Sequence, residues 1–485
     1  MSTISLVKDA KATAAGVRTL LIVAPKSVFT AAGFPKGLSK RTKDLALKLA
    51  GDASPGDLGA AASTLTGNKP ERLAVGVLPD RGSRYNSAAR AESIRKVCAA
   101  ANLGRRGGTG VLLVLDEPEH LLAAANAVAR AMPLYSSKTG RSASGRVKIG
   151  AITRDGAAIA SDDVVRETVD ASRAAAELVD HPPTDMHPGA MVAAARRMLK
   201  GVADVKIKEI AGDKLLTHDL GGIHAVGRCA VEAPRLMIAS YAPRDAKGPH
   251  IALVGKGITY DTGGLHIKAR GSMESMKGDM GGAAATLGAF RVLAASGVKR
   301  RIDLLLCLAE NAIGPTAYKP DDIIDMHSGK TVEINNTDAE GRMVLGDGVS
   351  YAARVLGAKV IIDAATLTGA QLIATGNLHA AVICNDADLE RVALEAGSAS
   401  GDLTHPLPFA PEFYKQEFAS PVADMRNSVK NRSNAQSSCA AQFIWWHIEN
   451  QKVKWCHVDL AGPAWRFSRG TGYGVALLSE MVRRL

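Results

Sequence analysis

Short apolar runs alternate with longer amphipathic stretches along the N-terminal third of the chain. Apolar runs bounded by polar residues are typical of buried strands, and apolar positions three and four residues apart are typical of helices. This pattern predicts strands at 19–23, 72–77 and 110–115, and helices at 41–50, 88–100 and 119–131. Alternating strands and helices predict an α/β domain.

The remainder of the chain repeats the alternation after a clear break. A helical pattern over 162–178 leads to His181-Pro182-Pro183, where two prolines end any helix. Further strands are predicted near 234–240, 250–254, 302–308, 359–363, 380–384 and 454–460, with helices between them. The Ala- and Gly-rich run 281–295 predicts a closely packed helix, and the polar segment 137–145 predicts an exposed loop.

These patterns predict an α/β protein of two domains. We place a smaller N-terminal α/β domain at 1–160, a connecting helix and linker at 161–183, and a larger C-terminal domain at 184–485. A chain of 485 residues is long enough for this division and buries a substantial core.

Composition excludes some classes of function and disfavours others. No apolar run reaches the length of a membrane helix, and residues 1–18 lack the apolar stretch of a secretory signal. The six cysteines are scattered without a C-x-x-C pair, as expected in a reducing compartment, so we predict a cytoplasmic protein. The net charge of +12 invites a nucleic-acid interpretation. Basic residues are spread widely, however, and aromatics make up only 4%, which argues against that partner.

The richest chemistry lies in the stretch 333–348. Asp338 and Glu340 are separated by one residue, and Arg342 follows two residues later. Carboxylates this close repel each other unless a cation lies between them, so a loop carrying them suits a hard metal ion. About seventy residues upstream, at the end of the predicted strand 250–254, the chain places a second group of charged residues: Lys256, Asp261, Lys268 and Asp279.

Together these segments contribute four carboxylates and three cations at loops around one predicted sheet. Four acids balance the charge of two divalent ions, which together activate a water and polarise a carbonyl or phosphoryl oxygen. A structural network of ion pairs is the alternative, although such networks are seldom confined to glycine-rich loops.

The motifs that carry these residues resemble signatures of the M17 leucyl aminopeptidase family. They are Val254-Gly-Lys-Gly-Ile-Thr-Tyr-Asp261, Met276-Lys-Gly-Asp279-Met-Gly-Gly and Asn336-Thr-Asp-Ala-Glu-Gly-Arg342. The similarity continues through 364–369, 420–424 and 457–462, and so covers most of the chain from about residue 178. No motif of the N-terminal third matches the family.

The resemblance implies a mixed central sheet flanked by helices in the C-terminal domain, a homohexamer, and a dinuclear metallo-aminopeptidase that acts on peptides with a free N-terminus. Asp261 and Glu340 would bridge two divalent ions, while Lys268 would stabilise the oxyanion and Arg342 would hold bicarbonate as the general base. The implied metal ligands are Lys256, Asp261, Asp279, Asp338 and Glu340. An ammonium cannot ligate a metal, so Lys256 would have to be neutral. Zn²⁺ and Mn²⁺ fit the ligand types, as do Co²⁺ and Mg²⁺.

The resemblance also implies a pocket for the first side chain of the peptide. Its lining residues would be Met276, Thr366, Gly369 and Ala461. Their largely apolar character favours Leu or Met over charged side chains, with modest discrimination. One departure from the family is His266, where a smaller residue is common. An extended segment would place His266 and Lys268 on one face.

Two other functions compete with the aminopeptidase. A dinuclear phosphoesterase predicts a His-rich ligand set, whereas the predicted site contains no histidine apart from His266. A non-catalytic scaffold or nucleic-acid binder predicts the loss of a ligand, whereas all seven polar groups are present. The sequence therefore favours the aminopeptidase.

Overall fold

The computed structural model describes residues 3–104, 107–140 and 145–485. The basic pair Arg105-Arg106 and part of the predicted loop 137–145, namely 141–144, lie outside the described residues. The chain forms two compact units. One unit consists of Met1–Ala174 with Gly397–Leu403, and the other of Ala175–Ala396 with Thr404–Leu485. The domain limits 160 and 183 stay predictions, and most of the predicted connector 161–183 is helical.

The first unit is built on a six-stranded sheet in the order β1-β6-β5-β2-β4-β3. All neighbouring strands are parallel except the edge strand β3, which is antiparallel to β4. The strands are β1 (Thr3–Leu6), β2 (Thr19–Pro25), β3 (Ala60–Leu65), β4 (Arg72–Leu78), β5 (Thr109–Leu115) and β6 (Arg146–Thr153).

Helices cover both faces of this sheet, as a largely parallel sheet requires. They are α1 (Ala10–Ala14), α2 (Lys40–Asp52), α3 (Ala91–Ala100), α4 (Leu121–Arg130) and α5 (Asp163–Asp180), with 3₁₀ turns at Lys26–Val28 and Pro118–His120. Leu20 and Ile22 of β2 pack in the cluster that contains α2, and Leu21 and Val23 pack in the cluster that contains α3 and α4. Successive side chains of β2 point to opposite faces of the sheet, so the core of this unit consists of two layers.

The second unit contains an eight-stranded mixed sheet in the order β15-β14-β17-β13-β9-β10-β8-β7. Its strands are β7 (Val205–Ala211), β8 (Arg235–Tyr241), β9 (Ile251–Asp261), β10 (Ile302–Asn311), β13 (Val360–Ala365), β14 (Ala380–Cys384), β15 (Thr404–Pro406) and β17 (Lys454–Asp459). The four central strands β17, β13, β9 and β10 run parallel. Short strands outside it are β11 (Ile323–Asp325), β12 (Thr331–Glu333), β16 (Met425–Arg426), β18 (Trp465–Arg466) and β19 (Arg469–Gly470).

Helices surround the central sheet of this unit. They are α6 (Pro188–Met198), α7 (Gly221–Gly227), α8 (Gly281–Ala295), α9 (Glu340–Arg354), α10 (Gly369–Ala374), α11 (Ala387–Ser400), α12 (Pro411–Tyr414), α13 (Gln436–Trp446) and α14 (Val475–Arg484). Among them, α8 and α9 pack on the central sheet. Short 3₁₀ turns lie at Gly212–His218, Met276–Gly278 and Lys415–Phe418. A side chain at Gly255 would meet α8, and Val254 packs beneath Gly348 of α9. Because neighbouring strand residues point to opposite faces, α8 and α9 lie on opposite sides of β9.

The predicted α/β class and mixed central sheet are confirmed, and two local predictions are wrong. The strand predicted to stop at Val254 continues to Asp261, because β10 pairs with it along its whole length and buried carboxylates satisfy the ammonium of Lys256. Glu340 and Arg342 lie in the first turn of α9 and not on a loop. Within the described part of the chain, no helix is both long and apolar enough to cross a membrane.

Candidate metal centre

The central strand β9 carries two of the predicted site residues, with Lys256 in its middle and Asp261 at its end. Strands β10 and β13 flank it in parallel, so polar residues that follow these strands meet at one edge of the sheet. Asp279 lies between the 3₁₀ turn and α8, and Glu340 begins α9. Residues far apart in the sequence are therefore brought together at this edge.

Lys256 connects two of the carboxylates. Its Nζ lies 2.9 Å from Asp279 Oδ2 and 3.0 Å from Glu340 Oε1, and it donates a hydrogen bond of 2.9 Å to the carbonyl oxygen of Thr366. The close approach of α9 requires glycine at 341, because an added Cβ would lie 2.5 Å from Lys256 Cε. The absence of a side chain at Gly341 thus allows the first turn of α9 to pack directly against the Lys256 side chain.

Lys268 connects the other two carboxylates. Its Nζ lies 2.7 Å from Asp261 Oδ2 and 2.6 Å from Asp338 Oδ1. The second oxygen of Asp261 accepts hydrogen bonds from the Gly263 N–H at 2.8 Å and from Asn311 Nδ2 at 2.9 Å. The four acids and two lysines therefore form one cluster in which each ammonium lies between a pair of carboxylates.

Burial and the proximity of like charges shift the pKa values of the acids in this cluster. Burial, assisted by repulsion from Asp261, raises the pKa of Glu340 to about 8. Burial raises the pKa of Asp279 to about 6 against the attraction of Lys256, and burial also raises the pKa of Asp338. Burial alone would lower the pKa of each lysine, but the neighbouring carboxylates outweigh it and hold both pKa values above the ordinary range. Four carboxylates outnumber the two ammonium groups, and burial favours the protonated forms of Glu340, Asp279 and Asp338.

Arg342 lies beside this cluster, buried in the first turn of α9. Its Nη1 donates a hydrogen bond of 3.1 Å to the carbonyl oxygen of Asn427, and within the described chain no acceptor lies in hydrogen-bond reach of its buried Nε. Burial lowers the pKa of Arg342 to about 10, so the guanidinium is still charged near neutrality. A charged, buried group with an unused N–H is equipped to bind an anion.

Two of the predicted pocket residues follow parallel strands at the same edge, and a third begins the turn that leads to Asp279. Thr366 comes directly after β13, Ala461 comes shortly after β17, and Met276 begins the 3₁₀ turn before Asp279. Thr366 Oγ1 donates a hydrogen bond of 2.8 Å to Asp279 Oδ1, which connects this group to the acid cluster. The fourth residue, Gly369, begins α10 and is exposed.

Sequence reasoning missed several polar residues that hold the site together. Asp459 at the end of β17 accepts hydrogen bonds from the Leu367 N–H at 3.1 Å, from Thr368 Oγ1 at 2.7 Å and from the Ala461 N–H at 3.3 Å. It therefore ties together the two segments that carry Thr366 and Ala461. Asp459 lies inside the motif 457–462, and a carboxylate in a predicted buried strand is a sequence signal of a structural or functional role.

Two buried asparagines were missed as well. Asn427 accepts hydrogen bonds from the N–H groups of Asn335 and Asn336, while its amide donates to the carbonyl oxygen of Asn336 at 2.7 Å. Asn311 donates to Asp261 and to the carbonyl oxygen of Thr337. Asn311 ends β10 and Asn427 directly follows β16, and a single asparagine at a strand end gives no pattern from which a role can be inferred.

Among the described residues, one group of three acidic, His or Cys side chains has the geometry to hold a metal ion. Asp261, Asp338 and Glu340 each offer an oxygen within 4.8 Å of the others. Glu340 also has a buried Oε2 for which the described residues provide no hydrogen-bond partner. No histidine belongs to this group, in contrast to the His-rich set that a phosphoesterase predicts.

Comparison with known proteins gives matches over both parts of the chain. The model of the cytosol aminopeptidase family catalytic domain matches residues 173–479, and the model of the M17 aminopeptidase N-terminal domain 2 matches residues 52–141. The second match extends to the N-terminal third, in which no motif was visible.

Individual relatives agree with these models. The chain is 38% identical to Leucine aminopeptidase 1 of Caenorhabditis elegans over 479 residues, covering 96% of this chain and 95% of the relative. It is 43% identical to the human protein named "Probable aminopeptidase NPEPL1" over 444 residues, covering 88% of this chain and 83% of the relative. The structure of leucyl aminopeptidase from Trypanosoma brucei in complex with bestatin superposes with a TM-score of 0.91 at 34% identity, covering 100% of this chain and 96% of that one.

Proposed function

Because the chain belongs to the cytosol aminopeptidase family, we propose that it is a metal-dependent exopeptidase that removes N-terminal residues from peptides, with Leu- and Met-like side chains preferred. The observation that carries the proposal is the convergence of four carboxylates at one edge of the catalytic sheet. A structural neighbour was solved with bestatin, which fits an aminopeptidase site.

The donor set fits two divalent ions. Asp261, Asp338 and Glu340 offer clustered hard oxygens, and the unused Oε2 of Glu340 is a further donor. We propose that these three residues hold the ions together with Asp279 and Lys256, whose proton must be displaced when an ion binds. When bound, two such ions activate a water molecule and polarise the peptide carbonyl. Zn²⁺ and Mn²⁺ are the proposed ions, and Co²⁺ or Mg²⁺ also suits the ligands.

The remaining residues bind and orient the peptide. Lys268 contacts two of the proposed ligands, Asp261 and Asp338, and we propose that its ammonium donates a hydrogen bond to the oxyanion that forms at the carbonyl. Arg342 is proposed to hold bicarbonate as the general base, since its Nε–H is unused and the motifs supply no other free base. Met276, Thr366, Gly369 and Ala461 are proposed to bind the first side chain of the peptide.

Chelation and reconstitution test this proposal. Protein dialysed against a chelator is expected to lose hydrolysis of leucyl-amide substrates and to regain it with Zn²⁺, Mn²⁺ or Co²⁺. Asp338→Ala is expected to lose bound metal and activity together. Asp388→Ala is the matched control, because Asp388 is an exposed acid on α11 outside the cluster. Equal activity of the chelated and metal-replete proteins would refute the proposal.

Assembly and location are separate proposals that rest on family membership. We propose a homohexamer in the cytoplasm, as first inferred from the resemblance and the cysteine content. Analytical ultracentrifugation tests the assembly, because a species of six times the 50.6 kDa chain is expected. A monomer at micromolar concentration would contradict it.

A further inference from the structure

His266 is hydrogen bonded to the turn that carries Asp338. Its side chain is directed at Thr337, whose N–H donates a hydrogen bond of 3.1 Å to His266 Nδ1. In return, the backbone N–H of His266 donates a hydrogen bond of 2.8 Å to Thr337 Oγ1. Two hydrogen bonds of opposite direction therefore join two segments that lie about seventy residues apart in the chain.

Thr337 is completely buried, and each of its polar groups has a partner. Its Oγ1 donates to the carbonyl oxygen of Gly263 at 2.6 Å, and its carbonyl oxygen accepts from Asn311 Nδ2 at 3.0 Å and from the Tyr318 hydroxyl at 2.5 Å. Since the hydroxyl hydrogen is used toward Gly263, the Nδ1 of His266 remains as the acceptor that satisfies the Thr337 N–H. Loss of that acceptor would leave a buried donor unpaired.

The position of Thr337 fixes the position of Asp338, the next residue. Gly263 has a φ of +85°, and a Cβ added there would lie 3.0 Å from Asp338 Oδ1. The turn is thus packed closely against the segment that begins at Asp261, and Asn311 hydrogen bonds to both Asp261 and Thr337. A shift of Thr337 would therefore move one acid of the cluster relative to another.

We propose that His266 is a positioning residue for the acid cluster: its imidazole, which accepts a hydrogen bond at Nδ1, holds the Asn336–Ala339 turn so that Asp338 lies opposite Asp261. Nδ1 accepts from the Thr337 N–H and so acts on the turn and not on an ion. The expected effect of His266 on metal binding rests on the proposed function. The expected effect of His266 on the turn rests only on the hydrogen bonds. Outer residues of this kind typically change metal affinity by about 10–100-fold when removed.

Three substitutions at one position test the inference. In His266→Asn the amide oxygen takes the place of Nδ1, whereas in His266→Gln the acceptor lies one bond further from the backbone. His266→Ala removes the acceptor altogether. Amide hydrogen exchange of peptides that cover 334–345 is measured first, on metal-free protein. Exchange is expected to rise in His266→Ala and His266→Gln and to stay as in the parent in His266→Asn.

Titration with Co²⁺, followed by its visible absorption band, then measures metal affinity in the same proteins. We expect affinity about 10–100-fold weaker in His266→Ala and His266→Gln, and within about threefold of the parent in His266→Asn. If His266→Ala exchanges and binds Co²⁺ like the parent, or if Asn rescues no better than Gln, the inference is overturned. If the parent takes up no Co²⁺, the proposed function fails, while hydrogen exchange still decides whether His266 holds the turn.

Discussion

Replacing Lys268 with Met separates catalysis from metal binding at this site. Methionine keeps much of the length of the side chain but removes the ammonium, which lies 2.7 Å from Asp261 Oδ2 and 2.6 Å from Asp338 Oδ1. Both carboxylates are proposed metal ligands, whereas Lys268 is proposed to act on the substrate. The substitution should therefore change kcat and metal affinity in different directions.

The expected magnitudes follow from these contacts. Loss of one charged donor to an oxyanion typically lowers kcat by about 10²–10³, or about 2.7–4 kcal/mol in transition-state stabilisation. Removing a positive charge from between two ligands leaves the cluster more negative, so divalent ions should bind with equal or greater affinity. Without metal, the same change leaves two carboxylates without their cation, and we expect the melting temperature of the metal-free variant to fall by a few degrees.

Three measurements on one preparation check these expectations. Steady-state hydrolysis of a leucyl-amide gives kcat, competition with a chelator gives metal affinity, and thermal unfolding with and without metal gives stability. Lys330→Met is the matched control, since Lys330 pairs with Glu449 at 2.6 Å outside the acid cluster. An unchanged kcat would refute the oxyanion role of Lys268. A large loss of bound metal would show that Lys268 is needed to position the carboxylates of Asp261 and Asp338.

Two further substitutions test the anion-binding and pocket assignments. Arg342→Ala should lower kcat by about 10²-fold with normal metal content, because the proposed base loses its holder while the ligands remain; metal analysis that finds the ions lost would contradict the bicarbonate role. Asp459→Ala leaves the N–H groups of Leu367 and Ala461 without an acceptor, so the pocket segments should loosen. KM for leucyl-amide should rise about tenfold with metal content retained, and an unchanged KM would count against this role of Asp459.

Much of the fold was predictable because its elements are set by local pattern. The helix predicted at 281–295 forms with those limits, and the strands predicted at 302–308 and 380–384 form with similar or identical ones. Errors arose where a polar residue interrupted an apolar run. Lys256 seemed to end a strand, but buried carboxylates satisfy its ammonium and allow the strand to continue to Asp261.

The sequence by itself determined the charged residues of the candidate site, because they lie in long contiguous motifs on segments that follow predicted strands. Tertiary structure alone decided how those residues are paired, with Lys256 between Asp279 and Glu340 and Lys268 between Asp261 and Asp338.

Tertiary structure also decided the partner of His266 and the roles of the buried residues Asn311, Asn427 and Asp459. Each of these side chains acts through hydrogen bonds to segments distant in the chain, apart from the bond of Asp459 to Ala461. Hydrophobic periodicity reports which face of an element is buried, but not which atoms meet across the core. A buried polar side chain is tolerated only where the fold supplies its partner, so its role becomes visible only when the fold is known.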